Sequence, residues 1–264
     1  MAAVAIRVII GVALAYLAAM ALLYAFQARF LYPAPQDRHD PAAGFTAVTL
    51  NTADGLALNA HYRAPEADQP TVVFFHGNGG SLAAATEETA LLTTQGYGAL
   101  LVSYRGYGGN PGEPSEEGFY TDGRAAMAFL QSQGVTPART IIMGNSIGSG
   151  TATQMATEFE AGALILVAPF LSLPEVVSDA LPIFPVSALL KDRYDNAAKV
   201  PKLSMPVLVQ HGTADRVVPF DHGRALAKAG PTATFQSFEG VGHDLSFNTQ
   251  AQVAQSEWLV EQGL

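Results

Sequence analysis

The sequence predicts an α/β fold: a mostly parallel central sheet with helices on both faces and a short cap, preceded by one N-terminal transmembrane helix. Three observations carry this expectation. Short runs rich in Val, Ile, Leu and Phe lack polar alternation, which is how strands buried on both faces read. These runs alternate with stretches of helical period, as βαβ units do. The segment Val8–Phe26 holds nineteen residues without a charge.

That first segment lies between Arg7 and Arg29. As a helix it spans about 28 Å, close to the hydrocarbon thickness of a bilayer. It has no polar face, so it fits poorly as the buried helix of a soluble protein. A cleaved signal competes, since Ala19-Met20-Ala21 offers small residues at a cleavage position. Against it, apolar residues run on through Leu22, Leu23, Tyr24 and Phe26. We read residues 1–32 as a single-pass anchor and the start of a linker, and residues 33–264 as the globular domain. Arg7 and the amino terminus oppose Arg29 and Arg38, a balance that leans slightly toward an extracytoplasmic domain.

Pro33-Ala34-Pro35 ends the helical run. Thr46–Asn51 and Leu56–Arg63 flank Ala53-Asp54-Gly55 and read as a hairpin. Thr71–Phe75 is a short apolar strand, followed by a glycine-rich turn and a helix from about Ser81 to Gln95. Gly98–Ser103 is the next strand. Ser115–Gln133 is the next helix, opened by Ser115 and the acidic Glu116 and Glu117. Strand Thr140–Gly144, helix Ile147–Glu160 and strand Ala163–Val167 continue the pattern. After an irregular proline-rich stretch come strand Val207–His211, helix His222–Ala229, strand Thr232–Phe238 and a final helix.

Composition narrows the function. The 264 residues carry a formal net charge of −9 and no basic run, which argues against nucleic acid as a partner. No cysteine is present, so disulfides, thiolate metal sites and a cysteine nucleophile are excluded. The six histidines are scattered without ligand-like spacing, and no metal or cofactor is expected.

The strongest local signal is Gly144-Asn145-Ser146-Ile147-Gly148 between a predicted strand and a predicted helix. A serine at such a junction sits on a strained turn that needs small residues two positions away on either side. Glycine fills 25 of the 264 positions, so the pattern alone is weak and its place between strand and helix gives it force. A serine hydroxyl needs a base to take its proton. Asp215, just past the Val207–His211 strand, and His243, in the loop after the last strand, fall in the order that a nucleophile, acid and histidine set would take. The fourth element is His76-Gly77-Asn78-Gly79-Gly80, after the third strand. There the backbone N–H of Asn78, with that of Ile147, would face the oxyanion of an attacked carbonyl.

With these motifs assembled, the chain resembles the α/β-hydrolase superfamily and, within it, the membrane-linked BEM46/ABHD13-like group. The resemblance rests further on Ser103-Tyr104-Arg105-Gly106-Tyr107-Gly108, on Pro111–Gly118, on Ala168–Leu173 and on Asp192-Arg193-Tyr194-Asp195. It runs from about Phe26 to the end of the chain. Ser103 stands where the group usually has Asp, and Asn110 where Ser is usual. The resemblance implies an α/β-hydrolase fold and a serine hydrolase acting on carboxylic esters or thioesters through an acyl-enzyme on Ser146, with Asp215 and His243 completing the set.

Residues 170–196 fall where this fold inserts a cap. Their apolar part, Leu181–Leu190, suggests a lid that accepts an acyl chain and faces the bilayer, with Phe170 and Leu171 against the substrate. Packing onto the core is an equally ordinary fate for such residues. A serine peptidase of the same fold and a non-catalytic scaffold are the alternatives. A dinucleotide site on Gly144–Gly150 fits less well, because that pattern normally opens the first βαβ unit.

Overall fold

A computed structural model describes all 264 residues. Helix α1 (Ala2–Leu31) precedes β1 (Thr46–Asn51), β2 (Ala57–Arg63), β3 (Thr71–Phe75), α2 (Leu82–Glu88) and α3 (Ala90–Thr94). There follow β4 (Gly98–Val102), α4 (Glu116–Ser132), β5 (Thr140–Asn145), α5 (Gly148–Glu158) and β6 (Ala163–Val167). The chain continues through three short helices, α6 (Leu173–Ala180), α7 (Val186–Leu189) and α8 (Asn196–Lys199). It closes with β7 (Val207–Gly212), α9 (Phe220–Ala229), β8 (Ala233–Phe238) and α10 (Thr249–Glu261).

The eight strands form one sheet in the order β1-β2-β4-β3-β5-β6-β7-β8. Pairs β1/β2 and β2/β4 are antiparallel, and every later pair is parallel. Side chains alternate across the buried strands, so Val73 and Phe75 of β3 join one apolar layer while Val72 and Phe74 join the other. All residues of β3, β4, β5, β6 and β7 are buried. Parallel strands covered on both faces in this way leave their carboxyl ends as the place for a site.

Helix α4 begins at the Ser115 cap, whose side chain accepts from Gly118 N–H. The long helix expected over 81–95 is divided instead into α2 and α3. Thr89 lies at the break, with its Oγ1 donating to Ala85 O (2.9 Å), the back-bonding that bends helices. The stretch after β6, read as irregular, contains α6. Its start was written in the sequence as Ser172-Leu173-Pro174-Glu175: Ser172 Oγ accepts from Glu175 N–H and donates to Glu175 Oε1 (3.0 Å).

Helix α1 has a mean hydropathy of 2.3 over its most apolar window, and by length and composition it can cross a bilayer. Its carboxyl-terminal half lies along the segment between β6 and β7. Tyr16 Oη donates to Ile183 O (2.8 Å) and its ring stacks on Phe184. One turn from the helix end, buried Gln27 donates to Leu189 O (3.3 Å) and accepts from Lys191 N–H (2.8 Å). Tyr32 then donates to Asp192 (2.7 Å).

Candidate active site

Ser146 stands directly after β5 with φ +52°, a left-handed conformation that is costly for a residue with a Cβ. Two neighbours keep it there. Its own N–H donates to Val167 O (2.9 Å), and the flanking glycines allow the strand and helix to close around it. A Cβ on Gly148 would collide with the backbone carbonyl of Phe75, and one on Gly144 with Gly148 O and Ala152 Cβ. The sharp turn thus lifts the serine hydroxyl above the carboxyl edge of the sheet.

Asp215 and His243 arrive on the loops after β7 and β8. These loops touch: Ala214 N–H donates to Val241 O (3.0 Å), and a Cβ on Gly212 would strike that same carbonyl. His243 Nδ1 lies 2.8 Å from Asp215 Oδ2, and its Nε2 lies 3.0 Å from Ser146 Oγ. An ionised carboxylate only accepts, so Nδ1 carries the proton and Nε2 is free to receive one from the serine. Burial would push the Asp215 carboxyl up. Hydrogen bonds from His211, His243 and the Val218 amide outweigh it and hold the group well below the usual carboxylate range. Its Oδ1 accepts from the N–H groups of Val217 (2.8 Å) and Val218 (2.9 Å), which fixes the carboxylate plane.

Asn78 and Ile147 both line the cavity at Ser146, and neither backbone N–H donates to a carbonyl of the chain. The Asn78 side chain is tied down on both sides, accepting from Tyr107 Oη (2.7 Å) and donating to Leu31 O (2.5 Å). Nearby His76 is fully buried, and burial pushes its imidazole down to about 4, so it is neutral and hydrogen-bonded to Gly77 O (2.8 Å). Tyr104 Oη donates to His76 O (3.2 Å). The Tyr104–Tyr107 stretch therefore props the Asn78 loop. Arg105 in turn pins that stretch to Asp122 (2.8 Å) and Asp54 (2.7 Å). Asn110 bridges Ser103 O (3.0 Å) and Asn59 N–H (2.9 Å), a structural use away from the serine.

Around Ser146 and His243 lies a cavity of about 390 Å³ whose walls include Phe30, Leu31, Phe170, Val218 and Phe247. Phe170 is thus at the cavity. Leu171 is not brought to it: its N–H is bound to His222 Nδ1 (3.2 Å) and its side chain packs on the core. A larger hollow of about 580 Å³, around Glu158 and Lys202, lies at the amino ends of β5 and β6 and contains no histidine.

Sequence reasoning missed several wall residues. Glu88 is buried beside the serine turn, where Asn145 Nδ2 donates to its Oε1 (2.7 Å) and to Ser246 Oγ (2.9 Å). Burial pushes the Glu88 carboxyl up to about 7 against the hydrogen bonds from Ser246 and Asn145. An acidic residue in a predicted helix reads as solvent-facing, so no signal marked it. Phe30 and Leu31 lay past the charge-free run Val8–Phe26, in the stretch read as the end of the anchor and the start of a linker.

The serine aminopeptidase S33 family model matches residues 66–196. An uncharacterized Mycobacterium tuberculosis protein is 34% identical over 249 residues, covering 91% of this chain and 88% of its own. Alpha/beta hydrolase domain-containing protein 17C of Xenopus tropicalis is 34% identical over 199 residues, covering 73% of this chain and 62% of its own. Among solved structures, a Pyrococcus furiosus esterase aligns with a TM-score of 0.70 at 17% identity, over 86% of this chain and 98% of that one, a likeness of fold.

Proposed function

This chain belongs to the α/β-hydrolase superfamily, and from that premise we propose that it is a serine hydrolase cleaving carboxylic esters or thioesters of acyl or lipid substrates. In this reading residues 1–32 form a retained membrane anchor with the start of the linker, residues 33–264 the catalytic domain, and residues 170–196 its cap. The observation that carries it is the unbroken chain from Asp215 through His243 to Ser146, at 2.8 and 3.0 Å.

The chemistry follows from those contacts. His243 Nε2 takes the Ser146 proton as the oxygen attacks the substrate carbonyl. Charge that builds on the carbonyl oxygen is met by the Asn78 and Ile147 N–H groups, an arrangement worth about 10²–10³ in rate for each donor. Asp215 holds the imidazole in the required tautomer and steadies the cation as it forms. The imidazolium then protonates the departing alkoxide or thiolate, leaving an acyl group on Ser146. Water, deprotonated by His243, attacks that ester and returns the enzyme.

The description of the matched family favours one second reading, a peptidase. The same machinery cleaves amides when the imidazolium reaches the leaving nitrogen. Apolar cavity walls such as Phe30, Phe170 and Val218 support acyl substrates over charged peptide termini. Fluorophosphonate labelling of the full chain against Ser146→Ala tests the nucleophile, and rates on p-nitrophenyl esters against aminoacyl p-nitroanilides separate the two readings. A folded parent protein that never labels ends the serine-hydrolase reading.

A further inference from the structure

Resting on that reading, we propose that the anchor helix is itself a wall of the substrate site. The acyl chain runs from Ser146 past Phe30 and Leu31 into a groove between α1 and the cap, and that groove opens toward the bilayer. The observations are geometric. A narrow groove of about 80 Å³ lies between the last two turns of α1 and the cap helices α6 and α7. Apart from Gln27 its lining is apolar, with Leu23 of α1 and Val177 and Leu190 of the cap among its walls. Phe30 and Leu31 line this groove and the Ser146 cavity alike, so the two spaces share a wall made of these two side chains.

The direction of the groove names its occupant. Tyr16, Met20, Leu23, Gln27 and Leu31 recur at helical spacing and form the side of α1 turned to the cap. Tyr16 meets the cap tip at Ile183 and Phe184. Ten residues separate Tyr16 from Phe26, the last residue of the charge-free run, which is about 15 Å of helix. A spanning α1 therefore carries the cap tip that far into one leaflet. The tip suits that depth: Leu181-Pro182-Ile183-Phe184-Pro185 has no charge, and Ile183 is 72% exposed. Charges resume at Lys191, whose ammonium lies 4.9 Å over the Tyr24 ring, with Asp192 and Arg193 after it. An aromatic and cationic belt at this level matches the bilayer interface. The space between is apolar and slender. It suits one hydrocarbon chain entering sideways from the lipid while the ester or thioester stops at Ser146. Gln27 closes the polar requirement of the cap backbone, bonding Leu189 O and Lys191 N–H, so the groove holds no unpaired polar group there.

The test uses the full chain in phosphatidylcholine vesicles. The parent protein should show a higher kcat/KM on p-nitrophenyl decanoate than on the acetate. Leu23→Trp on the anchor side and Val177→Trp on the cap side should each lower the decanoate-to-acetate ratio by about tenfold through loss of buried methylenes. Acetate turnover and labelling by a small fluorophosphonate should stay within about twofold of the parent. A second measurement needs no substitution. A fluorophosphonate with a diazirine at the end of a decyl chain, bound to the parent protein, should crosslink to residues 19–31 or 177–190. Unchanged ratios in labelling-competent variants, or crosslinks confined to other segments, overturn the proposal while leaving the serine hydrolase intact. A parent that neither labels nor turns over acetate removes the premise, and this inference with it.

Discussion

The carboxyl edge of the sheet and the contact between α1 and the cap are built on opposite principles. At the sheet edge, strands buried along their whole length end together. Ser146 is held in a strained backbone by neighbours that leave no room for a Cβ at Gly144, Gly148 or Gly212. The cap is made of helices of eight and four residues, tied by side-chain hydrogen bonds of Tyr16 and Gln27 on α1 and of Tyr32 just after it. Helices that short do not persist on their own, so the cap depends on what it leans against. Rigid positioning belongs where bonds are made, because a small misplacement there is costly in rate. An adaptable wall belongs where chains of different length must fit. The division tells which substitutions should stop the chemistry and which should redirect it.

The largest effects should come from the sheet edge. Ser146→Ala or His243→Ala is expected to lower ester turnover by about 10⁴-fold or more with the fold intact, measured as kcat/KM beside far-UV circular dichroism. A drop of only about tenfold would place the nucleophile elsewhere. Gly148→Ala should act on stability instead. The added methyl meets the Phe75 carbonyl, a backbone group that cannot swing aside. Overpacking of this kind should cost about 3 kcal/mol, lowering Tm by about 6–12 °C in a chain of this size. An unchanged Tm would mean that the turn is softer than the contacts imply.

Glu88 sharpens the comparison because it lies inside the rigid region yet is ionisable. Its carboxyl, ordinarily near 4.5, is pushed up to about 7 by burial in the folded chain. The folded state therefore binds the proton more tightly than the unfolded state. Sign follows directly: the stabilising contribution is complete below about 4.5 and is lost as pH rises toward 7. Glu88→Gln cannot lose it. Relative to the parent, this variant should gain about 3 kcal/mol of unfolding free energy between pH 4 and pH 8, read from urea titrations. A difference independent of pH would show that Glu88 ionises freely.

What the sequence disclosed divides along the same line. Apolar runs at Thr71–Phe75, Gly98–Val102 and Ala163–Val167 showed the parallel sheet, because strands buried on both faces have no polar alternation to hide them. The glycines around Ser146 and the order of Ser146, Asp215 and His243 pointed to three side chains that the structure brings within hydrogen-bond distance. Less was legible in the cap. Helix α6 carried its Ser172–Glu175 capping signal inside a stretch whose prolines suggested irregular chain. Phe170 and Leu171 were grouped as substrate contacts, and of the two only Phe170 is among the walls of the Ser146 cavity. Hardest to foresee was α1. Hydropathy describes its composition, and hydropathy is blind to the contacts its carboxyl-terminal half makes with the segment between β6 and β7. Only Gln27, a lone amide near the end of an apolar helix, hinted at a polar partner.

Gln27 supplies the smallest effect and the most direct probe of the adaptable region. Its side chain bonds Leu189 O at 3.3 Å and Lys191 N–H at 2.8 Å, and it is buried among apolar neighbours. Gln27→Ala removes the amide and leaves a cap N–H unpaired where little water reaches, a loss of about 1–2 kcal/mol. Since 1.4 kcal/mol is a factor of ten, opening of the cap from α1 should become about tenfold more frequent. Hydrogen exchange in vesicles should therefore speed up over residues 181–191 while strands β3, β5 and β6 keep the protection of the parent protein. Fluorophosphonate labelling of Ser146 should continue, because no hydrogen bond of Gln27 reaches the Ser146 turn. Faster exchange spread evenly through the sheet would break the comparison, for it would mean that the anchor stabilises the whole domain and not the cap alone.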